Sequence, residues 1–286
     1  MGRGAGGPFW GYGYDDIYAG QFAPYDYDDL AGYLPPRAAS RARSGAPDRL
    51  AQLCGEDSRD IAGLPIDLIQ QVIEPAEAQR VALDELANAS VTAAQSIRAA
   101  CPTQISLTAP SRLAAMEQRL EAMAAGVAAV RPAMDKFYGL LNDEQKARLN
   151  ALAEDQRKTT RRGARRFVQS CDAVQSSMLK WPAEEVEARL RPTEAQRSEL
   201  VALQDANAAA ADMLASSCPA DEAATPPARL VAAGKRLDIM LEAVKLVRSA
   251  LDNLYATLSD EQKAQFEAIG PRRTAYADRA ERRSRR

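Results

Sequence analysis

A chain of 286 residues, 46% of them hydrophobic, carries enough apolar material for one or two packed domains. Its 37 basic and 39 acidic side chains leave a net charge of −2, which gives no electrostatic reason to expect nucleic acid as a partner. Histidine is absent, and with it the usual general base, the Ser-His and Cys-His arrangements, and the commonest ligand of transition metals, so neither an enzyme nor a cofactor is expected. No run approaches the roughly 20 apolar residues that a bilayer crossing needs, so no transmembrane segment is expected.

Residues 1–47 are rich in Gly, Tyr, Asp and Pro and hold a short echo of their own, YGYDDIYAG (12–20) against YDYDDLAGY (25–33). They show neither a helical nor a strand period and are expected to be a disordered tether, whose aromatics Phe9, Trp10 and Phe22 can dock transiently on the rest of the chain. The opening MGRGAGG follows no strand and opens no helix, so it is no phosphate loop. It is also not the basic patch and apolar stretch of a secretory signal, so no export signal is visible in this chain.

From Arg49 onward the chain repeats itself without a gap at an offset of 117 residues, which carries Cys54 to Cys171 and Cys101 to Cys218. PAEAQR (75–80) recurs as PTEAQR (192–197), and LNDEQKA (141–147) as LSDEQKA (258–264). The organisation that follows is a first unit over 48–154, a second over 155–270, and a basic tail over 271–286.

Each unit reads as helical throughout. A short helix is expected near Leu64 to Ile73, with its twin from Trp181 to Leu190. A second runs from Ala76 to Cys101, ended by Pro102, with an Ala-rich inner face carrying Leu83, Leu86 and Ile97. Its twin runs from Thr193 to Cys218, ended by Pro219, with Leu200, Leu203 and Leu214. The strongest pattern comes next: Leu113, Met116, Leu120, Met123, Val127, Val130, Met134, Phe137 and Leu141 alternate spacings of three and four. The second copy reads Leu230, Ala233, Leu237, Met240, Val244, Val247, Leu251, Leu254 and Leu258. These predict two long helices, Ser111 to Leu141 and Ala228 to Leu258, each with a narrow seam suited to another long helix and more consistent with core than with a ligand site. Thr108 and Thr225 can cap them. Pro132 should kink the first, where the second has Ser249.

The four cysteines, in two equal spacings, read as disulfides rather than buried thiols, and so as the mark of an oxidising compartment. Three connectivities are open to four cysteines. Duplication favours Cys54–Cys101 and Cys171–Cys218, because an ancestral single unit could already make that bond, and each loop of this size is worth about 4 kcal/mol in the chain-entropy model. An exported chain whose signal lies upstream of this sequence reconciles the cysteines with the missing leader.

At the end of each long helix stand Asn142, Asp143, Glu144 and Gln145, or Ser259, Asp260, Glu261 and Gln262. Asn or Ser at an N-cap with Gln three residues on is a capping box, and acids in the first turn suit the helix dipole, which explains them without catalysis. Thr193 with Gln196 has the same grammar; Ala76 with Gln79 keeps the Gln but lacks a capping side chain. These are four corners where one helix ends and another begins.

On these residues, Leu141 to Gln145 and Leu258 to Gln262 with the weaker copies at 75–79 and 192–196, the chain resembles the LTxxQ-motif family of Spy/CpxP-like periplasmic proteins. The resemblance covers about Arg49 to Gly270. It departs from the pattern at Pro75 and Pro192, which take the Leu slot, in having Thr only at Thr193, and in doubling the unit. It implies an all-α fold in which long curved helices pair into a shallow cradle, a periplasmic location, and ATP-independent chaperone activity or a role in envelope stress signalling. The metal response of some relatives is not expected without histidine.

The leading expectation is therefore a chaperone-like protein for unfolded or partly folded polypeptides, with flexible Met116, Met123, Met134 and Met240 and long basic Arg119 and Arg236 as candidate client contacts. The alternative is a non-catalytic structural or regulatory adaptor for one defined envelope partner. Single-unit relatives build their cradle from two chains, so the doubled unit implies a monomeric pseudo-dimer or a weak homodimer. The basic run RKTTRRGARR (157–166) and the C-terminal arginines read as a solvated linker and tail.

Overall fold

The computed structural model describes residue 21 and residues 66–100, 108–152, 183–216 and 225–269. The four cysteines and both proposed disulfides, the rest of segment 1–47, the basic run 157–166 and the tail 271–286 lie outside the described residues. All regular structure among the described residues is helical, with no strand. In chain order the elements are α1 (Ile66–Ile73), α2 (Glu77–Ala99), α3 (Ala109–Leu140), α4 (143–152), α5 (Ala183–Leu190), α6 (Glu194–Ser216), α7 (Pro226–Thr257) and α8 (Asp260–Glu267).

Their ends follow from local chemistry. The Thr108 hydroxyl accepts from the Ser111 N–H and the Thr225 hydroxyl from the Ala228 N–H, with proline tolerated in the first turn of both long helices. The helix of α3 continues across Pro132, so the proline removes one backbone donor without ending the element. α1 and α5 stop at residues in the left-handed region, Glu74 at φ 49° and Arg191 at φ 47°. The N–H groups of these two residues donate to Gln70 and Glu187 carbonyls at 3.0 and 2.9 Å, and a buried proline follows each, Pro75 and Pro192.

The extensive packings run in a row: α2 on α3, α3 on α7, α7 on α6, with the long helices in the middle. α3 and α7 are antiparallel. Arg112 near the start of α3 meets Glu267 beyond the end of α7, Glu117 meets Arg248, and Val127 lies against Gly234 near the start of α7. Both seams are almost wholly buried, from Leu113 to Leu141 and from Leu237 to Leu258. Each fully buried aliphatic or aromatic side chain contributes about 1.5–3 kcal/mol, so the seams dominate the stability of the row.

The two sequence units do not own separate cores. Leu113, Met116, Leu120 and Met123, from the first half of α3, pack with Leu200, Leu203, Leu214, Leu237, Met240 and Phe266 of the second unit. The second half of α3, with Val130, Met134 and Phe137, packs with Ile69, Ile73, Leu83 and Leu86 of its own unit. Leu230, at the start of α7, reaches back to that first cluster.

Candidate functional site: the paired glutamine corners

Each unit brings its two corner motifs face to face. In the first, the Gln79 amide donates to the Leu140 carbonyl (2.9 Å) at the end of α3, and the Gln145 amide to the Ile73 carbonyl (3.2 Å) at the end of α1. The side chains also bond each other reciprocally, Gln79 Nε2 to Gln145 Oε1 at 2.7 Å and Gln145 Nε2 to Gln79 Oε1 at 2.9 Å. Each Oε1 further accepts the backbone N–H that opens its own helix, Ala76 at 2.9 Å and Asn142 at 3.1 Å. The helix-end carbonyls fix which way each amide faces, because only an N–H can point at them. Each amide thus makes four hydrogen bonds, its full complement.

The second unit repeats the arrangement. Gln196 donates to the Thr257 carbonyl (2.8 Å) and to Gln262 Oε1 (2.9 Å); Gln262 donates to the Leu190 carbonyl (3.0 Å) and to Gln196 Oε1 (3.0 Å). The Thr193 and Ser259 N–H groups close the two boxes at 3.0 Å each. The capping side chains act as expected at Asn142, Ser259 and Thr193, which accept from the N–H of Gln145, Gln262 and Gln196. At Ala76 only the Gln half of the box forms. Leu141, Leu258, Pro75 and Pro192 are all buried, so proline fills the apolar slot where the leucine is missing.

The motif is therefore a joint: a buried apolar residue, a cap, and a glutamine that ties its own corner to the partner corner. Asp143, Glu144, Asp260 and Glu261 occupy exposed first-turn positions and take no part in it. Sequence reasoning found all four corners but not that they associate in pairs. The equal separation of 66 residues between the two glutamines in each unit follows from the duplication itself, so no signal in the sequence marks the pairing.

Beside the joints the units diverge. Tyr138 shares a hydrogen bond with Asn150, whereas the equivalent Tyr255 donates to Glu267 at 3.2 Å. Burial first, and then the Glu267 carboxylate, push the Tyr255 hydroxyl up to about 12. Lys146 and Lys263 lie over the two tyrosine rings at 5.7 and 5.6 Å. Glu267 crosses the unit boundary, accepting from Arg112 at 2.9 Å and from the Ala109 N–H at 2.7 Å, so it caps α3 from the other unit. Midway along α3 and α7, Glu117 pairs with Arg248 at 2.7 Å and Glu121 with Lys245 at 2.9 Å. The bond to Glu121 raises the Lys245 ammonium above its ordinary value, and the bond to Glu117 does the same for Arg248.

The candidate client contacts are corrected in part. Met116, Met123, Met134 and Met240 are buried in the two clusters, because a seam at three-four spacing faces its helical partners rather than solvent. Arg236 is half-buried and donates to the Leu214 carbonyl at 2.6 Å, bracing the last turns of α6; burial lowers its guanidinium from the usual value. Arg119, its equivalent, is half-buried on α3. No cluster of acidic, Cys or His side chains suited to a metal ion occurs among the described residues. No helix among them is long and apolar enough to cross a membrane.

The model of the LTXXQ motif family matches the chain twice in tandem, over residues 61–153 and 178–270. The chain belongs to that family, with its unit duplicated. Comparison with curated proteins and with solved structures gives no match.

Proposed function

We propose that this chain is a non-catalytic, ATP-independent chaperone-like protein that holds non-native polypeptides in the periplasm. The observation that carries the reading is the row α2, α3, α7, α6: two family units joined through their long helices present, in one chain, an extended helical surface. On that surface single apolar side chains such as Val81, Val91, Val201 and Leu246 stand exposed among charged ones, which suits weak contact with varied sequences. The long helices of both halves come from one polypeptide, which supports a monomeric pseudo-dimer. The same family membership supports a role in envelope stress as part of this proposal.

The test is the aggregation of several unrelated denatured clients in the presence of the oxidised protein, repeated with reductant. Suppression across clients supports the proposal. A single saturable partner with no effect on aggregation refutes it and leaves the adaptor reading. Ser259→Ala, which removes a joint cap, is expected to lower stability by about 0.5–2 kcal/mol and leave suppression per folded molecule unchanged.

A further inference from the structure

The described part of the N-terminal segment is Gln21, and it is wholly buried against the helical body. Its side-chain amide pairs with that of Asn207 on α6, Gln21 Nε2 to Asn207 Oδ1 at 2.8 Å and Asn207 Nδ2 to Gln21 Oε1 at 3.2 Å. Its own main-chain carbonyl accepts from Arg112 Nη2, on α3, at 3.0 Å. The receiving groups are pre-set. Asn207 Nδ2 donates to the Leu203 carbonyl at 2.8 Å, which fixes the orientation of the amide, and Arg112 is held by Glu267 at 2.9 Å. Both are buried, Asn207 at 4% and Arg112 at 2% exposure.

A polar amide on an Ala- and Leu-lined helix face is destabilising when left without a partner. The first unit avoids this cost at the equivalent position with Ser90, a small hydroxyl that donates to its own Leu86 carbonyl. The second unit instead places there a side chain with a donor and an acceptor both aimed at Gln21. Reading one residue through its side-chain amide and its main-chain carbonyl together selects glutamine: alanine loses the amide pair, and a buried glutamate sets a carboxylate against Asn207 Oδ1.

We propose that Asn207 and Arg112 form a glutamine-reading site for a polypeptide segment at the seam between the two units, filled in cis by Gln21. This site is buried between helices of the row, away from its exposed apolar side chains, and does not depend on the proposed function. A tethered occupant at about 1 mM effective concentration weakens a competitor about tenfold when the intrinsic dissociation constant is about 100 µM.

The experiment uses the full chain and a fluorescent synthetic peptide spanning residues 14–28. Gln21→Ala should bind the peptide about tenfold more tightly than the unaltered chain. The same peptide with alanine at position 21 should lose that binding, as should Asn207→Ser in the Gln21→Ala background. Serine is accommodated at the matching position of the first unit, and unchanged helicity by circular dichroism verifies that each variant is folded. Equal binding to the unaltered and Gln21→Ala chains overturns the proposal, as does indifference to position 21 of the peptide or binding to neither chain. Sedimentation showing a dimer that Gln21→Ala converts to monomer overturns the cis assignment.

Discussion

Replacing Gln262 by alanine removes four hydrogen bonds at once: its donations to the Leu190 carbonyl and to Gln196, and its acceptance from Gln196 and from the Ser259 N–H. At about 0.5–1.5 kcal/mol net per bond the full sum is about 2–6 kcal/mol. The joint is only partly buried, so water restores some of the lost partners, and alanine is a better helix former than glutamine by a few tenths. The expected loss is about 2–4 kcal/mol, larger than the cap-only loss for Ser259→Ala. Urea denaturation followed by circular dichroism measures it, at unchanged slope. Because two of the four bonds are shared with Gln196, Gln196→Ala should cost less once Gln262 is already gone, with a coupling of about 1–2 kcal/mol. Strict additivity of the two substitutions, or a loss below about 0.5 kcal/mol for Gln262→Ala, would refute the joint as a coupled pair.

Three further outcomes are expected. Gly139 is exposed inside α3 and a Cβ there meets nothing within 4 Å, so Gly139→Ala should stabilise by about 0.4–1 kcal/mol in the same titration. Arg191→Gly should stabilise by about 0.5–1 kcal/mol by relieving the left-handed backbone at φ 47°, whereas Arg191→Ala should not. With the Tyr255 hydroxyl pushed up to about 12 in the folded chain against about 10 unfolded, the native state holds the proton more tightly. The stability this contributes is fully present below pH 10 and is lost as the pH rises from 10 toward 12. Tyr255→Phe should flatten that fall in denaturation midpoints measured from pH 9 upward.

Much of the fold was legible because its signals are local. The three-four spacing of Leu113 to Leu141 and Leu230 to Leu258, the threonine caps and the prolines that follow helix ends located six of the eight described helices to within two or three residues. The capping boxes at Gln145, Gln196 and Gln262 were readable for the same reason: donor and acceptor lie three residues apart. The left-handed ends at Glu74 and Arg191 were not, since neither is the glycine that usually marks such a turn.

The sequence by itself determined the helices, their corners and the doubling of the unit, all of which depend on residues close together or on self-similarity. Only the tertiary structure decided what the seams face. An apolar stripe binds any complementary stripe, so nothing in the spacing of α3 says that Leu113 to Met123 will complete the second unit's core while Val130 to Phe137 complete the first. That choice rests on non-local groups, Arg112 with Glu267, Glu117 with Arg248 and the glycine at 234 that admits Val127, none of which has a periodic signature. The same holds for the glutamines. An amide can satisfy itself with water as readily as with another amide, and only the folded chain brings Gln79 to Gln145, Gln196 to Gln262 and Gln21 to Asn207.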